Sequence, residues 1–227
     1  LDIGKRLKKT AVVAGVCDGF IGNRMLNAYL RIAGLLIDAG ASPYQIDSAL
    51  ENWGMAMGPF RMCDMAGNDI DYMIRKHQLK LGPTKKFSGF ADQLFELKRF
   101  GQKTQKGWYD YSQGNRRGDV DAEVIALIDA YRVEQGITPK VFSDEDIVAR
   151  CIYALANEGF RLLEEGIALR QSDIDVVYLA GYGFPRWRGG PMFYATEQGL
   201  NNMILAMQQF AQDSTTDASF WQTPALL

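Results

Sequence analysis

One segment of this chain occurs twice, and that constrains its fold more than any other feature. The first copy reads "FIGNRMLNAYLRIAGLLIDAGASPYQIDSALENWGMAMGPF" and the second "DIVARCIYALANEGFRLLEEGIALRQSDIDVVYLAGYGFPRWRGGPMF". Ile21 and Arg24 match Ile147 and Arg150, and Gly40 matches Gly166 without a gap. The "QID" ending at Asp47 matches the "DID" ending at Asp175, and Gly58-Pro59 matches Gly190-Pro191. Each copy reads as a long helix, a glycine, a capped helix and a Gly-Pro turn. Counted from Ile21, the apolar positions Met25, Leu26, Tyr29 and Leu30 follow helical spacing with a wide buried face. One such unit leaves an apolar side uncovered. Two copies packed face to face bury each other.

Local signals fill in the rest. Gly40 is placed to end the first helix. Ser42 as cap and Pro43 at the first position open the next, which runs to about Trp53. Further helices are expected over 59–67, 69–81, 90–100 and 120–135, with Asp119 as cap of the last. Ser143 heads the second copy, with Asp146 in its first turn. Residues 101–119 form a polar, glycine-rich connector around Trp108, Tyr109 and Tyr111. Residues 214–227 read as a loose tail. Only "TAVVAGV", 10–16, has the β-branched apolar character of a buried strand. One strand makes no sheet. The expected fold is therefore all-α, two repeated helical units, with a short N-terminal strand that belongs to an upstream sheet or pairs across a dimer.

Composition excludes several functions. A net charge of −2 gives no bulk attraction for nucleic acid. No apolar run approaches the ~20 residues that span a bilayer. Cys17, Cys63 and Cys151 are far apart and odd in number, which suits small buried hydrophobes rather than disulfides, zinc or a Cys-His catalytic pair. The one histidine, His77, lies among basic and polar residues without a carboxylate neighbour in sequence to orient it, and reads as solvated.

Asn23 is the residue out of place. Its amide sits in the first turns of an apolar helix, where Asn competes for backbone partners. Its counterpart in the second copy is Ala149, so the fold tolerates a better helix former there. Two readings stand at this point: an amide satisfying local backbone, or a functional group. Arg24 and Arg150 occur in both copies and read as structural ion-pair residues.

"GFIGNRM", "IDAGASPYQID" and "MGPF" resemble the start of the C-terminal domain of L-3-hydroxyacyl-CoA dehydrogenases. "KTQKGWYDY" and "GYGFPRWRGGPMFYA" are similar to the inter-repeat linker and second unit of multifunctional fatty-acid β-oxidation enzymes, which also carry enoyl-CoA hydratase. The resemblance covers roughly residues 10–210. Asp18 stands where the family usually has Pro. No strand-GxGxxG unit occurs, and the family's catalytic His and Glu lie upstream; His77 matches neither motif.

The resemblance implies a fold like the C-terminal domain of 6-phosphogluconate dehydrogenase. The implied boundaries are 1–17, the tail of an upstream NAD-binding domain; 18–112, a first repeat; 113–213, a second; and 214–227, the tail. It implies NAD-dependent oxidation of 3-hydroxyacyl-CoA to 3-ketoacyl-CoA, with NAD bound mainly by an absent upstream domain. Partners would be the 3-hydroxyacyl-CoA substrate, the upstream NAD-binding and hydratase domains and a second copy of the chain. Asn23 would support catalysis from the cleft wall without acting as base. Arg186, Trp187 and Arg188 would serve a domain contact, and Met55, Met57 and Met62 the core or an acyl-chain wall. The setting would be a bacterial cytoplasm first and a peroxisome second. The alternative is a stand-alone helical interaction or dimerisation module without redox activity.

Overall fold

The computed structural model describes every residue except Leu1, Pro83, Ser214 and Ala218. Among the described residues it is all-α, with eleven α-helices and one two-stranded ribbon. A short α1 (Asp2–Arg6) precedes an extended stretch. The first copy then supplies α2 (Gly22–Ala39), α3 (Pro43–Trp53), α4 (Pro59–Ala66) and α5 (Asn68–Leu81). Between the copies lie α6 (Gly89–Glu96), β1 (Tyr109–Asp110), β2 (Asp119–Val120) and α7 (Ala122–Glu134). The second copy supplies α8 (Asp144–Glu164), α9 (Gln171–Gly181), α10 (Pro191–Gln198) and α11 (Leu200–Ala211).

The two long helices, α2 and α8, make the most extensive pairing in the molecule. Met25, Ile32, Leu36, Ile147, Cys151 and Ile152 are inaccessible to solvent. Burying one such aliphatic side chain contributes about 1.5–3 kcal/mol, so this seam is the main source of stability. The copies also exchange contacts: α3 of the first packs on α8, and α9 of the second packs on α2. Each copy's second helix therefore covers the other's first.

Both Gly-Pro turns are built by one device. The Asp47 carboxylate accepts from the backbone N–H of Phe60 at 2.9 Å and of Arg61 at 3.0 Å, and so caps α4. Asp175 accepts from Met192 N at 2.8 Å and Phe193 N at 3.3 Å, capping α10. The glycine follows from this. A Cβ on Gly58 would lie 2.3 Å from Asp47 Cγ, and one on Gly190 would lie 2.4 Å from Asp175 Cβ. The matched "ID…GP" spacing in the sequence is the signature of this buried cap.

The connector folds around a third buried carboxylate. Asp64 accepts from Trp108 N (2.9 Å), Tyr109 N (3.0 Å), Asn68 Nδ2 (2.8 Å) and Tyr111 Oη (3.1 Å). Burial pushes the Asp64 carboxyl up to about 6 and that of Asp47 up to about 7, against the pull of these donors.

Three expectations are corrected. Asp119 does not cap α7: it lies in β2, and the Asp121 carboxylate caps the helix by accepting from Glu123 N at 2.9 Å. Residues 10–16 form no strand: Ala14 makes a single antiparallel bridge to Ala168, Gly15 N donates to Ile167 O at 2.8 Å, and Val13 and Val16 face solvent. No second strand lies beside the segment among the described residues, so only its alternate residues Val12 and Ala14 find cover. The tail is seated rather than loose over its described residues; Ser214 and Ala218 lie outside them. Phe220 and Trp221 are buried, and Arg161 and Asn157 donate to Gln222 O at 2.7 and 3.2 Å. Two large aromatic rings gain more from burial than the polar tail composition suggests.

Candidate functional site

An open groove of about 590 Å³ lies where the start of α2 faces α4 and α5. Leu26, Leu30, Met62, Ile70 and Ile74 make its wall, Phe20 and Met73 its exposed rim, and Asn23 stands on its edge. Met62 thus lines a cavity, while Met55 is buried elsewhere and Met57 is exposed. Cys63 and Cys151 are buried, as small hydrophobes are. Cys17 is half-buried and donates to Phe20 O at 3.4 Å. His77 and Asp18 share the groove's rim, with Nε2 and Oδ2 3.8 Å apart and both side chains more than half exposed. Tertiary structure thus brings His77 a carboxylate that its sequence neighbours lack.

Asn23 does not cap its own helix. The cap position of α2 is Ile21, without a side-chain hydrogen bond. Instead Asn23 Oδ1 accepts from Tyr182 Oη at 2.7 Å, across 159 residues of chain. Tyr178 Oη donates to Gly22 O at 3.0 Å one residue away. The local-backbone reading of Asn23 is therefore set aside. Sequence reasoning missed Tyr182 entirely, because no spacing rule links positions so far apart. Arg24, by contrast, is structural. It donates to Glu158 Oε1 at 2.6 Å and to both oxygens of Glu165 at 2.6 and 2.7 Å, tying the two copies together. Arg150 pairs with Asp146 and Asp213.

A smaller cavity of about 360 Å³ adjoins the groove and shares Asp18 and Asn27 with it. Arg24, Arg31, Lys85 and Arg161 line it, partly neutralised by Glu158. Burial and the nearby Arg161 lower the Arg31 guanidinium to about 10. At the Trp-bearing loop, Arg188 stacks between Trp53 and Trp187 and donates to Trp53 O at 3.1 Å. Trp187 itself is largely exposed.

The first turn glycine ahead of α2, Gly19, is closed onto its own helix: a Cβ there would lie 2.7 Å from Arg24 N. No sheet stands before that helix, and no group of three or more metal-binding side chains occurs, among the described residues.

Residues 19–111 match the family model described as "3-hydroxyacyl-CoA dehydrogenase, C-terminal domain". The chain is 44% identical over 223 residues to a peroxisomal bifunctional enzyme of Danio rerio, covering 92% of this chain and 31% of that protein. It is 38% identical over 217 residues to a peroxisomal fatty acid beta-oxidation multifunctional protein of Arabidopsis thaliana, covering 93% and 30%. The chain thus spans about a third of the length of the curated relatives it matches. Among solved structures, it resembles the dehydrogenase part of multifunctional enzyme 1 from C. elegans. The TM-score is 0.70 at 29% identity, covering 95% of this chain and 50% of that one. A 3-hydroxybutyryl-CoA dehydrogenase from Escherichia coli shares the fold, with a TM-score of 0.74 at 17% identity. Residues 19–111, then, match the C-terminal domain family of 3-hydroxyacyl-CoA dehydrogenases.

Proposed function

We propose that this chain is the helical, substrate-covering part of an NAD-dependent L-3-hydroxyacyl-CoA dehydrogenase within a multifunctional β-oxidation enzyme. The observation that carries this reading is the apolar groove edged by the Asn23 amide, inside the segment that matches the family. The reaction removes a hydride from carbon 3 and a proton from its hydroxyl. NAD, the hydride acceptor, is placed in an upstream domain, as the sequence resemblance implies. The chain's share is the wall. Leu26, Leu30, Ile70 and Ile74 offer the acyl chain an apolar surface. Asn23 Nδ2–H offers a neutral donor to the oxygen that becomes a carbonyl, or to the base beside it, without adding charge.

Residues 18–112 and 113–213 are two copies of one unit, of which the first keeps the site and the second supports it. The element-by-element match of α2–α5 with α8–α11 supports this division. An enoyl-CoA hydratase domain upstream is what the sequence resemblance implies, and the relatives' names support a peroxisomal or glyoxysomal setting.

The test adds a separately made NAD-binding domain to this chain and follows NADH formation from a 3-hydroxyacyl-CoA. Turnover should require both parts. The chain alone should neither turn over substrate nor bind NAD tightly; tight binding by calorimetry would overturn the assignment. Association without any turnover would favour the stand-alone interaction module.

A further inference from the structure

The orientation of Asn23 is set from the other copy. Tyr182 follows α9 as its C-cap residue, and its hydroxyl donates to Asn23 Oδ1 at 2.7 Å. Two neighbours, Tyr178 and Gly22, set the place of that phenol. Its ring stacks on Tyr178 with centroids 4.9 Å apart and planes 26° from parallel. Tyr178 is buried and anchors to Gly22 O. Gly22 itself makes room, because a Cβ there would sit 2.2 Å from Tyr182 Oη. Any side chain at position 22 displaces the phenol. Burial also raises the Tyr182 pKa, so the group stays a donor at neutral pH.

The amide is thereby fixed as well. With Oδ1 accepting from the phenol, Nδ2 keeps its two N–H groups for the groove. An amide on a surface helix otherwise samples several rotamers, and holding it in one avoids that entropy loss when substrate binds.

The repeat supplies independent support. The residue that follows α3, in the place of Tyr182, is Gly54. Thus one copy's site pairs an amide with a phenol, while the matched position in the other pairs Ala149 with a glycine. Both members are present together or absent together.

We propose that Tyr182 is a positioning residue for the dehydrogenase site, aiming Asn23 Nδ2–H into the groove, so that the second copy completes the first copy's site. This rests on the function proposed for the groove, and the test separates the two. The first arm uses this chain alone. The Asn23 side-chain amide is assigned in 1H–15N spectra by its loss in Asn23→Ala. It should give one sharp proton pair that moves and broadens in Tyr182→Phe. An unmoved pair overturns the proposal.

The second arm uses the longer enzyme with its NAD-binding domain. Tyr182→Phe should lower kcat about tenfold with KM unchanged, the scale of one hydrogen bond. It should add nothing in an Asn23→Ala background. Equal losses in both backgrounds would mean that Tyr182 acts only through general structure and would overturn the proposal. If Asn23→Ala leaves turnover intact, the functional reading of Asn23 falls, and the amide spectra alone decide whether Tyr182 orients it.

Discussion

The two copies present the same wall differently. In the first, the cleft beside the long helix carries Asn23, Asn27 and Met62 and opens to about 590 Å³. In the second, the matched cleft carries Ala149, Tyr153 and Tyr194, with Trp53 beside them, and holds about 390 Å³. Trp53 and Tyr194 meet edge to face at 5.0 Å, filling space that the first cleft leaves open. The backbone plan, the buried Asp caps and the Gly-Pro turns are common to both. What separates them is side chains at a few positions on one face. A duplicated unit can therefore keep its packing while only one copy keeps polar chemistry.

That contrast can be broken experimentally. The largest effects should come from the caps, which the copies share but do not use equally. Asp47 serves two backbone donors and the Tyr109 hydroxyl, whereas Asp175 serves backbone donors alone. Asp47→Ala should cost about 3 kcal/mol in denaturant unfolding and Asp175→Ala about 2 kcal/mol, because each strands buried N–H groups. Equal costs would show that Tyr109 gains nothing from the Asp47 carboxylate.

Asn23→Ala comes next. In the complete enzyme it should lower kcat about 100-fold, the scale of one lost donor to a developing oxyanion, while Ala149→Asn leaves turnover unchanged. A loss on the second substitution would mean that both clefts act. Arg24→Met should then lower stability by about 1–2 kcal/mol, since it releases Glu158 and Glu165 across the copies. The loss should shrink in high salt; a salt-independent loss would assign it to packing.

The smallest effect is a slope with pH. The folded carboxyls of Asp47, Asp64 and Asp175 sit at about 7, 6 and 6, above the ordinary 3.8. Between those values the folded chain holds protons that the unfolded chain has released. Stability therefore falls as pH rises from about 4 to 7. Glu165 and Asp213, held low, act oppositely and lose their contribution only as pH falls through their depressed values. The melting temperature should be a few degrees higher at pH 5.5 than at pH 8. Asp47→Asn, which cannot ionise, should flatten that slope; an unchanged slope would place the linkage elsewhere.

Much of this was legible in the chain as written. Helical periodicity, Ser42-Pro43, Ser143 and the Gly-Pro turns marked the starts of α3, α8, α4 and α10, because caps and proline act through neighbours in sequence. The repeat singled out Asn23 by giving Ala149 for comparison. The 10–16 segment was misread, since strand character in composition becomes a strand only beside another. The tail was misread because the cover for Phe220 and Trp221 is assembled from distant elements.

The sequence alone determined an all-helical, duplicated chain with one amide out of place and its two families of caps and turns. Those features depend on contacts within a few residues, where backbone geometry and side-chain type suffice. Only the tertiary structure decided that Tyr182 holds that amide, that Arg24 bridges the copies and that the groove lies at the edge of α2. These depend on how two helical units exchange their second helices. That exchange is fixed by the summed burial of a whole seam, which no local pattern encodes.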